Sequence, residues 1–135
     1  MLENPKINIK IKLAALWASL VFCYLYGDYF ELYVPEKVND LLTGENILNS
    51  PTKLLIASIV LAIPSIMVAL SVILKPKINR ILNIVFGSIF TLMMVLIAIN
   101  SLTAWYSFYV FLAILESLIT FLIVVYAWKW PKIEE

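Results

Sequence analysis

Long apolar stretches separated by short polar segments are the dominant pattern along the chain. A helix that crosses a bilayer needs about 20 predominantly apolar residues. Stretches of that kind cover approximately residues 12–33, 52–74, 79–99 and 105–128. We therefore predict an all-α fold, a single transmembrane domain over residues 1–135 arranged as an antiparallel four-helix bundle.

Prolines mark where these helices begin and where one of them bends. Ser50 followed by Pro51 is typical of an N-cap with proline in the first helical position. Pro76 can open the third span in the same way, and the short connection before it predicts that spans two and three are antiparallel neighbours. Pro64 lies in mid-span, where the loss of one backbone hydrogen bond predicts a kink.

An outer loop, residues 34–51, is the one sizeable segment between predicted spans. It is acidic, with three carboxylate side chains against one lysine. Val38, Leu41 and Leu42 follow helical spacing and Gly44 can end a helix, which predicts a short helix at the membrane surface. A plain linker whose apolar residues rest on the bundle is the alternative.

The positive charges predict the orientation of the spans. Eight of them precede span one, join spans two and three, or follow span four: Lys6, Lys10, Lys12, Lys75, Lys77, Arg80, Lys129 and Lys132. Because Lys and Arg concentrate in cytoplasmic segments, both termini are expected in the cytoplasm.

Composition excludes several classes of function. Hydrophobic residues make up 63% of the chain and charged residues only 14%, too few to cover the core of a soluble domain, so the bilayer is the expected partner. The net charge of +1 and the absence of a basic run argue against nucleic acid. Histidine is absent and Cys23 is the sole cysteine, which excludes zinc sites and CxxC redox pairs. We expect no cofactor and no metal site.

Glu116 is the most informative residue, because it lies near the middle of the fourth span. An ionised carboxylate there costs at least about 2.5 kcal/mol, so it must face the bundle interior, stay protonated or find a partner. Helical spacing puts Tyr109 and Thr120 on its face. It is either a functional proton or cation site or a hydrogen-bonding group that joins helices.

Other polar side chains extend a possible seam through the bundle. Asn83 and Thr91 share one face of the third span. Asp28 and Glu31 follow at i and i+3 near the outer end of the first span, with Tyr24 on the same face, and could hold a proton or cation between them. The alternatives are that Asp28 extends to water and that the tyrosines form an interfacial aromatic belt.

A family resemblance rests on two segments and Glu116. The run from Leu16 to Phe30, which includes Cys-Tyr-Leu-Tyr-Gly-Asp-Tyr-Phe, and the segment Ser50-Pro51-Thr52-Lys53 resemble the small four-span bacterial membrane proteins grouped as a domain of unknown function. Their layout is in turn similar to that of DoxX-like proteins. The resemblance implies a protein of the bacterial inner membrane and transfers no catalytic residue.

Three functions remain open from the sequence. The first is a binding or transport module for a small ligand or ion, with Glu116 as a proton or cation site. The second is a structural or accessory subunit that packs against a membrane protein partner or a second copy. The third, an enzyme acting on lipid or quinone, lacks an adjacent nucleophile and base, and catalysis is the least favoured.

Overall fold

The computed structural model describes residues 1–133, and all regular secondary structure in that range is helical. Five α-helices follow in order: α1 Ile9–Glu31, α2 Lys37–Thr43, α3 Pro51–Ile73, α4 Pro76–Asn100 and α5 Ser107–Trp128. A short 3-10 turn, Ala104–Tyr106, leads into α5. The helices α1, α3, α4 and α5 are long and apolar enough to cross a membrane. The predicted all-α four-helix bundle is confirmed.

The helix boundaries follow from local sequence chemistry. At the start of α3 the Ser50 hydroxyl accepts a hydrogen bond from the backbone N–H of Lys53, and Pro51 occupies the first turn. The short helix α2 ends at Gly44, whose φ of 77° is a left-handed conformation that glycine adopts readily. The outer loop therefore contains the predicted helix. Pro64 lies inside α3 and is buried.

The four long helices pack in the order α3, α1, α5, α4. The α4–α5 hairpin makes the closest contact, and α1 packs against both α3 and α5. Although a tight turn joins α3 to α4, these two helices share few contacts. They therefore diverge beyond their common turn and leave the bundle less tightly closed on that side.

The hydrophobic core occupies the half of the bundle that contains the termini. Its fully buried large side chains come from all four long helices: Leu13, Trp17, Leu20, Met67, Phe90 and Ile123. The rings of Trp17 and Phe90 meet edge to face with centroids 6.2 Å apart. This packing closes the bundle at the end we predict to be cytoplasmic.

A buried polar network reinforces this inner half. The side-chain amide of Asn83 donates to the backbone and side-chain oxygens of Asn79, at 2.8 and 2.7 Å. Asn79 in turn donates to the backbone carbonyl of Ser71 at 2.7 Å. The Asn83 oxygen accepts from the Trp17 indole at 2.7 Å and from the Ser71 hydroxyl at 3.4 Å. Because its members satisfy one another, the network stabilises the fold without an exposed polar surface.

Large apolar side chains cover the outward faces of the long helices. Phe22, Ile59, Ile89 and Phe121, one on each helix, are all more than half exposed. Soluble monomers seldom expose continuous apolar surface on this scale. Together with the length of the helices, this surface identifies a small membrane protein whose outward faces contact lipid.

Candidate binding site around Glu116

A cavity of about 130 Å³ lies in the outer half of the bundle, beyond the Trp17–Phe90 contact. All four long helices contribute to its wall, which consists of Tyr24, Gly27, Asp28, Leu61, Met93, Met94, Ile97, Tyr109, Leu112 and Glu116. Since a water molecule takes up about 30 Å³ in the liquid, the space suits a few waters or one small ligand. It is the point at which the polar residues of different helices converge.

Glu116 lies in this cavity, with only 5% of its surface exposed. Within residues 1–133 its carboxyl group has no hydrogen-bond or ion-pair partner, and Thr120 bonds only its backbone carbonyl, at 3.0 Å. A buried carboxyl group normally has a hydrogen-bond or ion-pair partner, because its desolvation without one costs about 2–7 kcal/mol. The Glu116 side chain is therefore available to a proton, a water molecule or a ligand in the cavity.

Asp28 and Glu31 have different surroundings. Asp28 lines the cavity and is solvent-accessible. Glu31 instead forms an ion pair of 2.8 Å with Lys37 and accepts a hydrogen bond of 3.3 Å from the Tyr106 hydroxyl. The hydrogen bond to Glu31 raises the pKa of Lys37 above its ordinary value. Glu31 thus joins α1 to α2 and to the turn before α5, whereas Asp28 belongs to the Glu116 cavity.

Tyr24 and Tyr109 contribute aromatic rings to the cavity wall. The Tyr24 hydroxyl is buried and has no hydrogen-bond partner among the described residues. Its ring packs near Phe90, with centroids 6.3 Å apart. Gly27 faces α5 here, and a Cβ at that position would lie 3.5 Å from Leu112 and 3.8 Å from the Tyr109 ring, which are ordinary contacts. An unsatisfied hydroxyl and an unpartnered carboxyl group on two residues that line the same cavity indicate a binding site for a polar ligand.

The remaining residues of the predicted seam lie deeper than the cavity. The Thr91 hydroxyl donates to the Thr120 hydroxyl at 2.7 Å, which joins α4 to α5. Asn83 belongs to the inner network with Trp17. The structure therefore divides the seam into an outer cavity, a threonine pair and an inner amide network. Of the predicted candidates, Glu116, Asp28, Tyr24 and Tyr109 come together.

The comparison with known proteins places the chain in a family. The model of a family of unknown function, DUF6326, matches residues 4–134. The chain belongs to the DUF6326 family. No curated protein and no solved structure matches it. The sequence-based assignment to a family of unknown function is thus confirmed for nearly the whole chain, whereas the bacterial source and the DoxX-like layout remain predictions.

The apolar residues that line the cavity of this DUF6326 protein were not identified from the sequence. In the sequence these residues look like any other apolar residue of a membrane span: Leu61, Met93, Met94, Ile97 and Leu112. Helical spacing alone gives one clue, because Phe90, Met94 and Ile97 share a face of α4. Among residues 1–133 no group of three or more His, Cys, Asp or Glu side chains could hold a metal ion.

Proposed function

We propose that this DUF6326 protein is a binding or transport module in which Glu116 is a proton or cation site. One observation supports this most strongly: Glu116 is only 5% exposed and lines a cavity, and its carboxyl group has no partner among residues 1–133. A carboxyl group that only holds helices together should bond across them, since such bonds contribute roughly 0.6 to 2 kcal/mol. Within the part of the chain that the structure describes, the Glu116 side chain makes no such bond.

We infer that the cavity opens at the outer end of the bundle, where Asp28 is exposed. The exposed carboxylate of Asp28 lies at that end, whereas the opposite side is closed by Phe90 and the Trp17–Asn83 hydrogen bond. This arrangement supports an outward-facing binding site. Transport requires a second conformation in which those inner contacts separate, because one conformation cannot expose the site to both sides.

We propose a bacterial inner-membrane location with both termini in the cytoplasm. The uneven distribution of lysine and arginine supports this orientation. It places α2 and the mouth of the cavity on the side of the inner membrane that faces away from the cytoplasm, so that Glu116 is accessible to protons or solutes on that side.

The accessory-subunit function is the second candidate. The exposed apolar faces of the long helices support it, because a membrane protein partner or a second copy could cover them as well as lipid. Such a subunit has no need of an unpaired buried carboxyl group. The protonation behaviour of Glu116 therefore separates the two functions.

Infrared spectroscopy of the protein in lipid nanodiscs tests the proposal directly. The carboxyl band of Glu116 is assigned as the one lost in the Glu116→Gln variant, and is followed during titration with acid, sodium, potassium and organic cations. We expect this band to change with pH or with at least one cation. The Glu45→Gln variant is the matched control, since Glu45 is exposed in the outer loop.

A Glu116 band that stays constant in every titration contradicts the proposal. Glu116 would then be a permanently protonated structural group, and the accessory-subunit function would become the better supported one. Circular dichroism confirms that both variants retain their helices before the spectra are compared.

A further inference from the structure

We propose that the ligand of the Glu116 cavity is a small protonated amine with an apolar substituent. The inference rests on the proposed function, because it takes Glu116 as a cation site and adds the chemical class of the cation. The charge, the apolar wall, the unsatisfied hydroxyl and the size of the cavity support this class of ligand.

The charge of the cavity favours a cation. Asp28 and Glu116 both line it, and no lysine or arginine does. Lys37, on the nearby outer loop, is held by Glu31 at 2.8 Å. Arg80 donates to the backbone carbonyls of Ala127 and Trp128 at the far end of α5. An anion would therefore meet two carboxyl groups without a compensating positive charge.

The rest of the wall favours an organic cation over a metal ion. A hard cation such as calcium binds about 6–8 oxygen atoms. This cavity offers fewer oxygen ligands, because only two carboxyl groups and two phenols interrupt its otherwise apolar wall. Met93 and Met94 present thioethers, which pack well against hydrocarbon. Tyr24 and Tyr109 also line the cavity, and the face of a tyrosine ring attracts an ammonium group.

The buried Tyr24 hydroxyl narrows the class further. Its oxygen has no partner among the described residues and almost no accessible surface, so it can accept a hydrogen bond from an N–H group only when the Tyr24 side chain turns toward the cavity. In that conformation a protonated primary amine can donate one hydrogen to Glu116 and another to Tyr24. A quaternary ammonium ion has no N–H and leaves this hydroxyl unsatisfied.

The volume of the cavity sets an upper limit on the ligand. Drug-sized molecules occupy pockets of roughly 300 to 1,000 Å³, and this one measures about 130 Å³. A short branched alkylamine is therefore a suitable probe.

Isothermal titration calorimetry in nanodiscs tests the ligand class with four probes: isobutylammonium, tetramethylammonium, potassium and the neutral isobutanol. Empty nanodiscs correct for partition into lipid. We expect isobutylammonium to bind about tenfold or more tightly than potassium or isobutanol, since a hydrogen bond to a charged group gives at least that factor. Equal affinity for all four probes, or no binding of isobutylammonium, overturns the inference.

Three variants test the residues. Glu116→Gln should weaken isobutylammonium binding by about tenfold or more. Tyr24→Phe should weaken isobutylammonium severalfold while the affinity for tetramethylammonium stays the same, a pattern that a general loss of structure cannot produce. Glu45→Gln should bind as wild type does. Unchanged isobutylammonium affinity in Glu116→Gln overturns the inference.

The infrared and calorimetric experiments together distinguish a failure of the amine inference from a failure of the proposed function. If the Glu116 band responds to protons or potassium but isobutylammonium does not bind, the amine inference fails and the proposed function stands. If the band responds to nothing, both fail.

Discussion

The indole N–H of Trp17 donates a hydrogen bond of 2.7 Å to the side-chain oxygen of Asn83, and both side chains are completely buried. The bond crosses the bundle diagonally, from α1 to α4, between helices that are not neighbours in the packing order. The Trp17–Asn83 hydrogen bond lies between the Glu116 cavity and the end of the bundle that contains the termini. The same two residues therefore contribute to stability and to the closure of the site on the inner side.

Replacement of Asn83 by leucine should destabilise the protein by about 2 kcal/mol, because it leaves the Trp17 N–H and the Asn79 side-chain oxygen unsatisfied in the core. Reversible unfolding in mixed micelles measures the loss. Asn100→Leu is the matched control on the same helix, since Asn100 is exposed and bonds only the carbonyl of Leu96. Equal effects of the two substitutions would refute a special role for the Trp17–Asn83 bond.

Gly87→Ala should destabilise the α4–α5 hairpin by about 1–3 kcal/mol, the usual cost of overpacking. An added Cβ would lie 2.8 Å from a methyl group of Val124 and 3.4 Å from the backbone oxygen of Thr120. Gly27→Ala is the paired control, because there the nearest atom, on Leu112, would be 3.5 Å away, an ordinary contact. Thermal unfolding in detergent should separate the two variants, and equal melting temperatures would contradict the packing described for Gly87.

The Glu31–Lys37 ion pair should hold the outer loop to α1 until the solution becomes strongly alkaline. The pKa of Lys37 is raised in the folded protein, mainly by its hydrogen bond to Glu31. A raised lysine pKa contributes stability that is fully present below the ordinary value of 10.5 and is lost as the pH rises through the folded value. The contribution is modest, about 1 kcal/mol at most, as for other partly exposed pairs.

A spin label at Asp40→Cys, in a Cys23→Ser background, measures this contact. The label should become more mobile above pH 10.5, where Lys37 begins to lose its proton. The Lys37→Gln variant should show the higher mobility already at neutral pH and no further change on titration. If the two proteins titrate alike, the ion pair does not hold the loop.

The orientation of the protein can be tested with single cysteines in a Cys23→Ser background. In intact cells a membrane-impermeant thiol reagent should label Glu45→Cys, in the outer loop, but not Glu3→Cys, near the N-terminus. After permeabilisation both should be labelled, because both positions are exposed. The reverse pattern would invert the predicted topology and place the mouth of the Glu116 cavity in the cytoplasm.

The sequence by itself determined the helices and the depth of the key carboxylate. Long uncharged runs specify membrane-crossing helices, because every backbone polar group must be satisfied within the bilayer. The start of α3 was determined by Ser50, whose hydroxyl caps the helix, and by Pro51 in its first turn. The end of α2 was determined by Gly44, which adopts a left-handed conformation readily. The burial of Glu116 in the interior followed from the cost of exposing a carboxyl group to lipid.

Only the tertiary structure decided which polar residues meet. Spacing puts Asn83 and Thr91 on one face of α4, yet Asn83 bonds Trp17 whereas Thr91 bonds Thr120. Spacing likewise puts Asp28 near Glu31, but among the described residues Lys37 pairs with Glu31 and not with Asp28. Helical periodicity determines which side chains share a face. The rotation and height of each helix relative to the others depend on the packing of apolar side chains, which periodicity does not contain.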